Sequence, residues 1–467
     1  MRTIAKSRAT GLRLLLLLSL VLSQFIFPAS AQTASRDFGA LEQVIREELQ
    51  ATNTPGAAVS IVSGDRVIYA KGFGVANVET GAVVTPDMLF RLGSTTKMFT
   101  AAALLTLAAQ GKLKLDEPIG SYASGLNPGL ARITTHQLIS NSGGVADFAA
   151  PFISNDDEAL ARMVRGWKED ALFTEPGRVY SYASPGFWLA GYVIEETNKK
   201  PYADSMNELV FAPLGMTRTT LRPLQAMTYP LAMGHSVSGN EKPVIIRPFF
   251  NNVAMWPAGS IFSSVNELSR FVIALMDEGR VDGKQALAPE VPQKLFGKHK
   301  LMPGLTDVYY GYGLMNYELR GARVIEHGGF SRGYGSMITM VPAERFAVIV
   351  TTNKSGETMR RTRMKAMEMF LKLKAETAEE TKTTQALTEA ERANFTGRYV
   401  NGPQSWEITE RDRKLFYKSE AGEVELKKTA PYRLSFGDQL ENDFMFVANA
   451  QGKIEYIFDG LYSAKKQ

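Results

Sequence analysis

The sequence predicts an α+β fold carrying a small all-β domain at its C-terminal end, and three observations lead there. Paired apolar runs of strand type stand near both ends of the longer, first part of the chain. The stretch between them is helical and rich in loops. From residue 393 onward the texture changes to short alternating runs separated by Asp, Gly and Asn turns.

The first element is not expected to belong to the fold at all. Arg2, Lys6, Arg8 and Arg13 form a basic region, followed by an apolar run from Leu14 to Phe27 and then by Ala29-Ser30-Ala31. This is the layout of a secretory signal peptide over residues 1–31, cleaved after Ala31. The apolar run falls short of the roughly 20 residues that a bilayer helix needs. The expected product is therefore secreted or periplasmic, with no membrane association after cleavage.

Removing that segment changes the charge balance. The full chain has 53 Lys and Arg against 48 Asp and Glu. Four of the basic residues and none of the acidic ones precede position 32, which leaves 49 against 48. The basic pI of about 9.0 is partly a property of the leader, and nucleic acid is not an implied partner. The chain contains no cysteine, which excludes disulfides, thiolate metal sites and a thiol nucleophile. A chain of this length can bury a sufficient core without them.

Residues 38–50 read as a helix. Ala57–Val62 and Arg66–Ala70 flank Ser63-Gly64-Asp65 and form a hairpin. Ser94–Gln110 is apolar on nearly every face and stops at Gly111, the pattern of a buried central helix. Gly335–Val341 and Ala347–Thr352, split by Pro342–Arg345, make a second strand pair, so the two ends of this part close one antiparallel sheet. Residues 357–374 read as a further helix. A domain at 32–374, a linker at 375–392 and an all-β domain at 393–467 are the expected organisation.

The chemistry is expected at the start of the central helix. Ser94 and Lys97 are three residues apart, so on a helix they share one face. A serine hydroxyl needs a neighbouring base, and burial beside a helix N-terminus favours the neutral lysine amine that can serve as one. Taken alone, Ser-x-x-Lys is a common accident, and Ser463…Lys466 repeats it in the tail.

The context of Ser94 is more specific. Phe90–Lys97 continuing to Gln110–Asp116, then Ile133–Gly144, Pro176–Phe187 and Glu326–Phe330 stand in the order of a known family. With these stretches the sequence resembles the serine β-lactamase, DD-peptidase and esterase superfamily, specifically the branch similar to class C β-lactamases, from about Pro55 to Asn353. The resemblance implies an antiparallel sheet flanked by helices and packed on an all-helical lobe, with the site in the crevice between them. By the same resemblance Ser94 matches the acylated nucleophile, Lys97 its proton acceptor and Tyr182 a tyrosine that shuttles the proton. His327, Gly328 and Gly329 match a strand triplet lining the cleft. The backbone N–H of Phe330, with that of Ser94, matches the oxyanion hole.

Two positions depart from the family pattern. Ser184 stands where a substrate-binding asparagine is usual, and its hydroxyl has fewer bonding options than a carboxamide. His327 replaces the lysine typical of true β-lactamases, and a histidine is charged only near or below its ordinary pKa of about 6.5. There is also no Ser-Asp-Asn element. The expected substrate is therefore a small-molecule ester or D-amino-acid peptide, of peptidoglycan origin in one version, ahead of a β-lactam. A catalytically silent relative binding peptidoglycan fragments or a protein partner through the same cleft is the alternative.

Other chemistries find little support. Gly234–Gly239 imitates a nucleophile elbow but lacks its second glycine and its strand-to-helix setting. His136, His235, His299 and His327 show no paired helical spacing for a metal. Gly72–Asn77 lacks the third glycine of a dinucleotide loop. No cofactor and no metal is implied.

Overall fold

The computed structural model describes residues 37–467 apart from 240, 377–381, 420–421, 438 and 440. The expected signal peptide lies outside the described residues.

Among the described residues, nine strands form one antiparallel sheet. Its order is Lys300–Leu301, Tyr309–Tyr310, Met315–Leu319, Ala322–Ser331, Tyr334–Val341, Phe346–Thr352, Gly56–Ser63, Arg66–Asn77 and Ala82–Val83. The strand from the start of the chain lies directly beside the one from far downstream, with Val59 opposite Val350 and Ile61 opposite Val348. Gly56–Ser63 is buried along nearly its whole length, which is why it reads as an unbroken apolar run and not as an alternating one.

The helices gather in two places. Val265–Met276 turns Val265, Leu268, Phe271, Val272 and Leu275 into the core against the sheet, while Thr96–Ala109 and Ser184–Asn198 form the centre of the helical part. Thr96–Ala109 has almost no polar face, and eleven of its residues are buried. The turn holding Ser94 differs from the expectation, because Gly93–Thr95 is a tight 3-10 turn and the α-helix begins at Thr96. Another expected helix, over 357–374, is shorter. It runs Arg360–Phe370 after Met359 in a left-handed conformation and ends where Leu371 becomes extended.

That helix is tied to the sheet through a buried ion pair, Arg363 with Glu326. Glu326 also accepts hydrogen bonds from Tyr317 at 2.7 Å and Thr339 at 2.7 Å. A buried carboxylate stripped of its cation keeps its desolvation cost without the Coulombic return. Arg363→Met is therefore expected to lower the unfolding free energy by about 3–5 kcal/mol, measured by urea denaturation. A loss below about 1 kcal/mol would show the pair to be solvent-screened.

The C-terminal part is a closed eight-stranded antiparallel barrel, Gly397–Asn401 through Ser463–Lys466. Tyr399, Trp406, Leu415, Leu434, Phe444 and Ile457 fill it. The helix Glu389–Phe395 precedes the barrel, so ordered structure begins inside the segment expected to be linker. Thr388 and Glu391 form a capping box at its start.

Candidate active site

Three segments bring the expected site residues together, and glycines allow their approach. Gly93 sits at φ +60, and a Cβ there would lie 2.4 Å from the Phe330 carbonyl oxygen. A Cβ on Gly329 would lie 1.8 Å from the Leu92 carbonyl. Only glycine lets the strand Ala322–Ser331 pass this close to the serine turn. The seam is pinned by the Ser336 hydroxyl donating to the Leu92 carbonyl at 2.6 Å, and by Thr95 Oγ1 donating to the His327 carbonyl at 3.4 Å.

Lys97 is fully buried at the base of the site. Its Nζ lies 3.1 Å from Ser94 Oγ, 3.4 Å from Ser184 Oγ and 2.9 Å from the Ala258 carbonyl. The rings of Tyr182 and Phe187 stand 4.7 and 5.5 Å from it. Burial pushes the Lys97 pKa down to about 7, against an opposing pull from the Asp147 carboxylate. A neutral amine has two N–H donors and one lone pair. The Ala258 carbonyl and Ser184 hydroxyl can take the donors, which leaves the lone pair for the Ser94 proton.

Tyr182 is buried with its phenol turned toward Ser94. Burial pushes its pKa well above the ordinary range, against a lowering by Ser94. The phenol therefore keeps its proton near neutral pH, a state that can donate a proton but not accept one as a base. The segment carrying it is hung from Asn141, whose carbonyl accepts from Ser181 N at 2.9 Å and whose Oδ1 accepts from Ala183 N at 3.3 Å. Ser142 accepts from Gly177 N at 2.7 Å. The stretch Ile133–Gly144 thus works as the scaffold of the Tyr182 loop.

His327 is buried, and its pKa falls to about 3 through burial first and the nearby Lys97 second. It is neutral across the physiological range. Nδ1–H donates to the Gly328 carbonyl at 2.6 Å, so Nε2 is left to accept from the Tyr310 hydroxyl at 3.1 Å. A histidine positively charged near pH 6.5 is not what the cleft contains. Gly328 and Gly329 follow in the same strand, and the Phe330 side chain stands exposed beside the serine turn.

Several residues at the site escaped the sequence reading. Ala258 belongs to the short helix Trp256–Gly259, held against the nucleophile segment by Thr100 Oγ1 donating to the Pro257 carbonyl at 2.6 Å and by Ile261 N donating to Thr96 Oγ1 at 3.2 Å. Asp147 accepts from Ser184 N at 3.0 Å. Tyr462, from the barrel, packs its ring 6.3 Å from that of Tyr182. The second Ser-x-x-Lys is structural. Ser463 Oγ donates to the Tyr180 carbonyl at 2.5 Å and Lys466 Nζ to that of Asn394 at 2.7 Å. A cleft of 760 Å³ opens between Phe148–Phe173 and Val400–Pro403, and Ser94 is not among its walls.

Residues 41–369 match the family described as Beta-lactamase. "Protein flp" of Staphylococcus aureus strain N315 is 24% identical over 328 residues, 68% of this chain and 63% of that protein. The chain thus spans under two thirds of that relative's length. Penicillin-binding protein 4 of Amycolatopsis lactamdurans is 26% identical over 64% of this chain and 81% of its own. The octameric penicillin-binding protein homologue from Pyrococcus abyssi superposes with a TM-score of 0.64 at 23% identity, covering 92% of this chain and 100% of that one. That likeness extends the shared fold into the barrel.

Proposed function

The chain belongs to the β-lactamase family, and from this premise we propose that it is a secreted serine hydrolase cleaving an ester or a D-amino-acid-type amide through a Ser94 acyl-enzyme. The observation that carries the reading is the contact of the fully buried Lys97 Nζ with the partly exposed Ser94 Oγ at 3.1 Å. The basic and apolar pattern of residues 1–31 supports secretion.

In this mechanism the neutral Lys97 amine takes the Ser94 proton as Oγ attacks the substrate carbonyl. The C–O bond to serine forms while the carbonyl π pair moves onto oxygen. The backbone N–H groups of Ser94 and Phe330 are the donors for that oxyanion, and a lost donor in comparable sites costs about 3–4 kcal/mol. Collapse expels the alcohol or amine, which receives its proton from the Tyr182 hydroxyl or from the Lys97 ammonium. Water then attacks the acyl-enzyme by the same route in reverse.

The neutral His327 offers no fixed cation for a substrate carboxylate, and Ser184 offers a hydroxyl where a carboxamide is usual in the family. Both features support the reading of an ester or peptide ahead of a β-lactam.

The pH dependence tests the assignment of the base. Protonated Lys97 cannot accept the serine proton, so activity is low below its pKa and rises as pH passes through it. For a p-nitrophenyl short-chain ester, kcat/KM is expected to climb tenfold per unit on the acid side and level off above about pH 7. A profile that is flat from pH 5 to pH 9, to within about a factor of two, would remove Lys97 from the role.

A further inference from the structure

The segment that carries Tyr182 is held by Asn141 on one side and by the barrel on the other. Ser181 N and Ala183 N turn to Asn141. The residues between them turn the opposite way, as backbone groups alternate in an antiparallel pairing. The Tyr180 carbonyl accepts from Ser463 Oγ at 2.5 Å, and Tyr182 N donates to the Leu461 carbonyl at 3.1 Å. Between these two contacts lies a buried polar knot of Ser181, Asn401 and Ser463. Ser181 Oγ accepts from Asn401 Nδ2 at 3.1 Å and from Ser463 N at 3.1 Å, and it donates to the Ser463 carbonyl at 3.4 Å. Asn401 Nδ2 also donates to the Ser463 carbonyl at 2.7 Å, and Asn401 Oδ1 accepts from Asp147 N at 3.3 Å. The hydroxyl's one proton and two lone pairs and both amide N–H groups are thus used. A buried network satisfied in this way fixes a single register.

We propose that Asn401 and Ser463 are positioning residues for Tyr182, so that the barrel completes the active site. The proposal rests on the reading of Tyr182 as proton donor to the leaving group. Neither residue touches the reacting atoms. The Tyr182 ring itself packs in an apolar cluster with Tyr180, Met302 and Tyr310 and with Met445 and Phe458 of the barrel. Apolar contact is non-directional and tolerates sliding. The polar knot is what fixes the backbone from which the phenol reaches.

The consequence depends on the leaving group. An aliphatic alkoxide is a strong base and needs a proton as its bond to carbon breaks, whereas p-nitrophenolate leaves without one. A Tyr182 hydroxyl displaced from its place therefore slows an alkyl ester far more than a p-nitrophenyl ester. A general loss of folded protein slows both alike.

The test compares kcat/KM for ethyl acetate and p-nitrophenyl acetate in full-length variants assayed well below their unfolding temperatures. Ser463→Ala and Asn401→Ala are each expected to lower the ethyl ester value about tenfold or more and the p-nitrophenyl value less than about threefold. The selective loss should vanish in a Tyr182→Phe background, where the hydroxyl to be positioned is gone. Equal losses on both esters, losses that persist in that background, or no loss at all would overturn the positioning role. Should Asn401→Ala fail to fold, Ser463→Ala decides by itself. Fluorine NMR of the chain labelled with 3-fluorotyrosine reads the position without turnover, the Tyr182 signal being identified by its loss in Tyr182→Phe. Ser463→Ala should shift that signal, and an unmoved signal overturns the role. Wild-type protein without Ser94-dependent hydrolysis of either ester would overturn the acyl-transfer reading instead, and the NMR result would then decide the positioning.

Discussion

Ser94→Ala is expected to abolish ester hydrolysis, lowering kcat by at least about 10⁴-fold while the fold is retained. Its Oγ is the acyl acceptor of the proposed mechanism, and no other hydroxyl of the site stands both beside Lys97 and in the turn next to Phe330. Ser184 Oγ also lies near Lys97 Nζ, at 3.4 Å, but it opens a different helix. Alanine at 94 removes one partner of Lys97 and leaves the Ala258 and Ser184 contacts in place. The variant should therefore unfold at nearly the wild-type temperature. p-Nitrophenyl acetate hydrolysis beside thermal unfolding checks both halves, and a folded variant with undiminished turnover would sink the assignment.

Lys97→Met carries the second large effect. Methionine fills the apolar pocket formed by Tyr182 and Phe187 without an amine. Loss of a positioned general base costs about 10²–10⁴-fold in rate. Stability should move the other way. Between the folded pKa of about 7 and the ordinary lysine value the unfolded chain binds the proton more tightly, so the buried lysine opposes folding, and more so as pH falls through that window. A methionine there relieves the penalty, as volume-conserving apolar replacements of buried charge often do. Lower activity with an equal or higher melting temperature at pH 7 is the expected pair of results. Lower activity with gross unfolding would mean that Lys97 serves the fold through its Ala258 contact.

Ser94 and Lys97 were legible through the stretches around them, since their spacing alone is shared by Ser463 and Lys466, whose side chains donate to separate backbone carbonyls. The closing of one sheet by strands from both ends was legible, since buried strands announce themselves as apolar runs, while the short strands Lys300–Leu301, Tyr309–Tyr310 and Met315–Leu319 gave no such run. The site's outer ring was less so. Asp147 is one acid among 48 acidic residues, and its backbone partner Asn401 comes from the barrel. Ala258 contributes only a carbonyl, which no side chain signals. The 3-10 turn at Gly93–Thr95 comes from the tertiary squeeze against Phe330, visible in the sequence only as a glycine. The helix Glu389–Phe395, by contrast, had a readable start in Thr388-x-x-Glu391. His327 could be read as charged only near or below about pH 6.5 unless shifted, and burial beside Lys97 supplies the shift.

The central claim is a covalent intermediate on Ser94, and intact-protein mass spectrometry after rapid acid quenching with a short-chain p-nitrophenyl ester tests it most directly. The account predicts a mass increase of one acyl group in the wild type, mapped by peptide digestion to the segment holding Ser94 and absent from Ser94→Ala. An adduct of the same size in Ser94→Ala, or turnover by the wild type with the label on another residue, would contradict it.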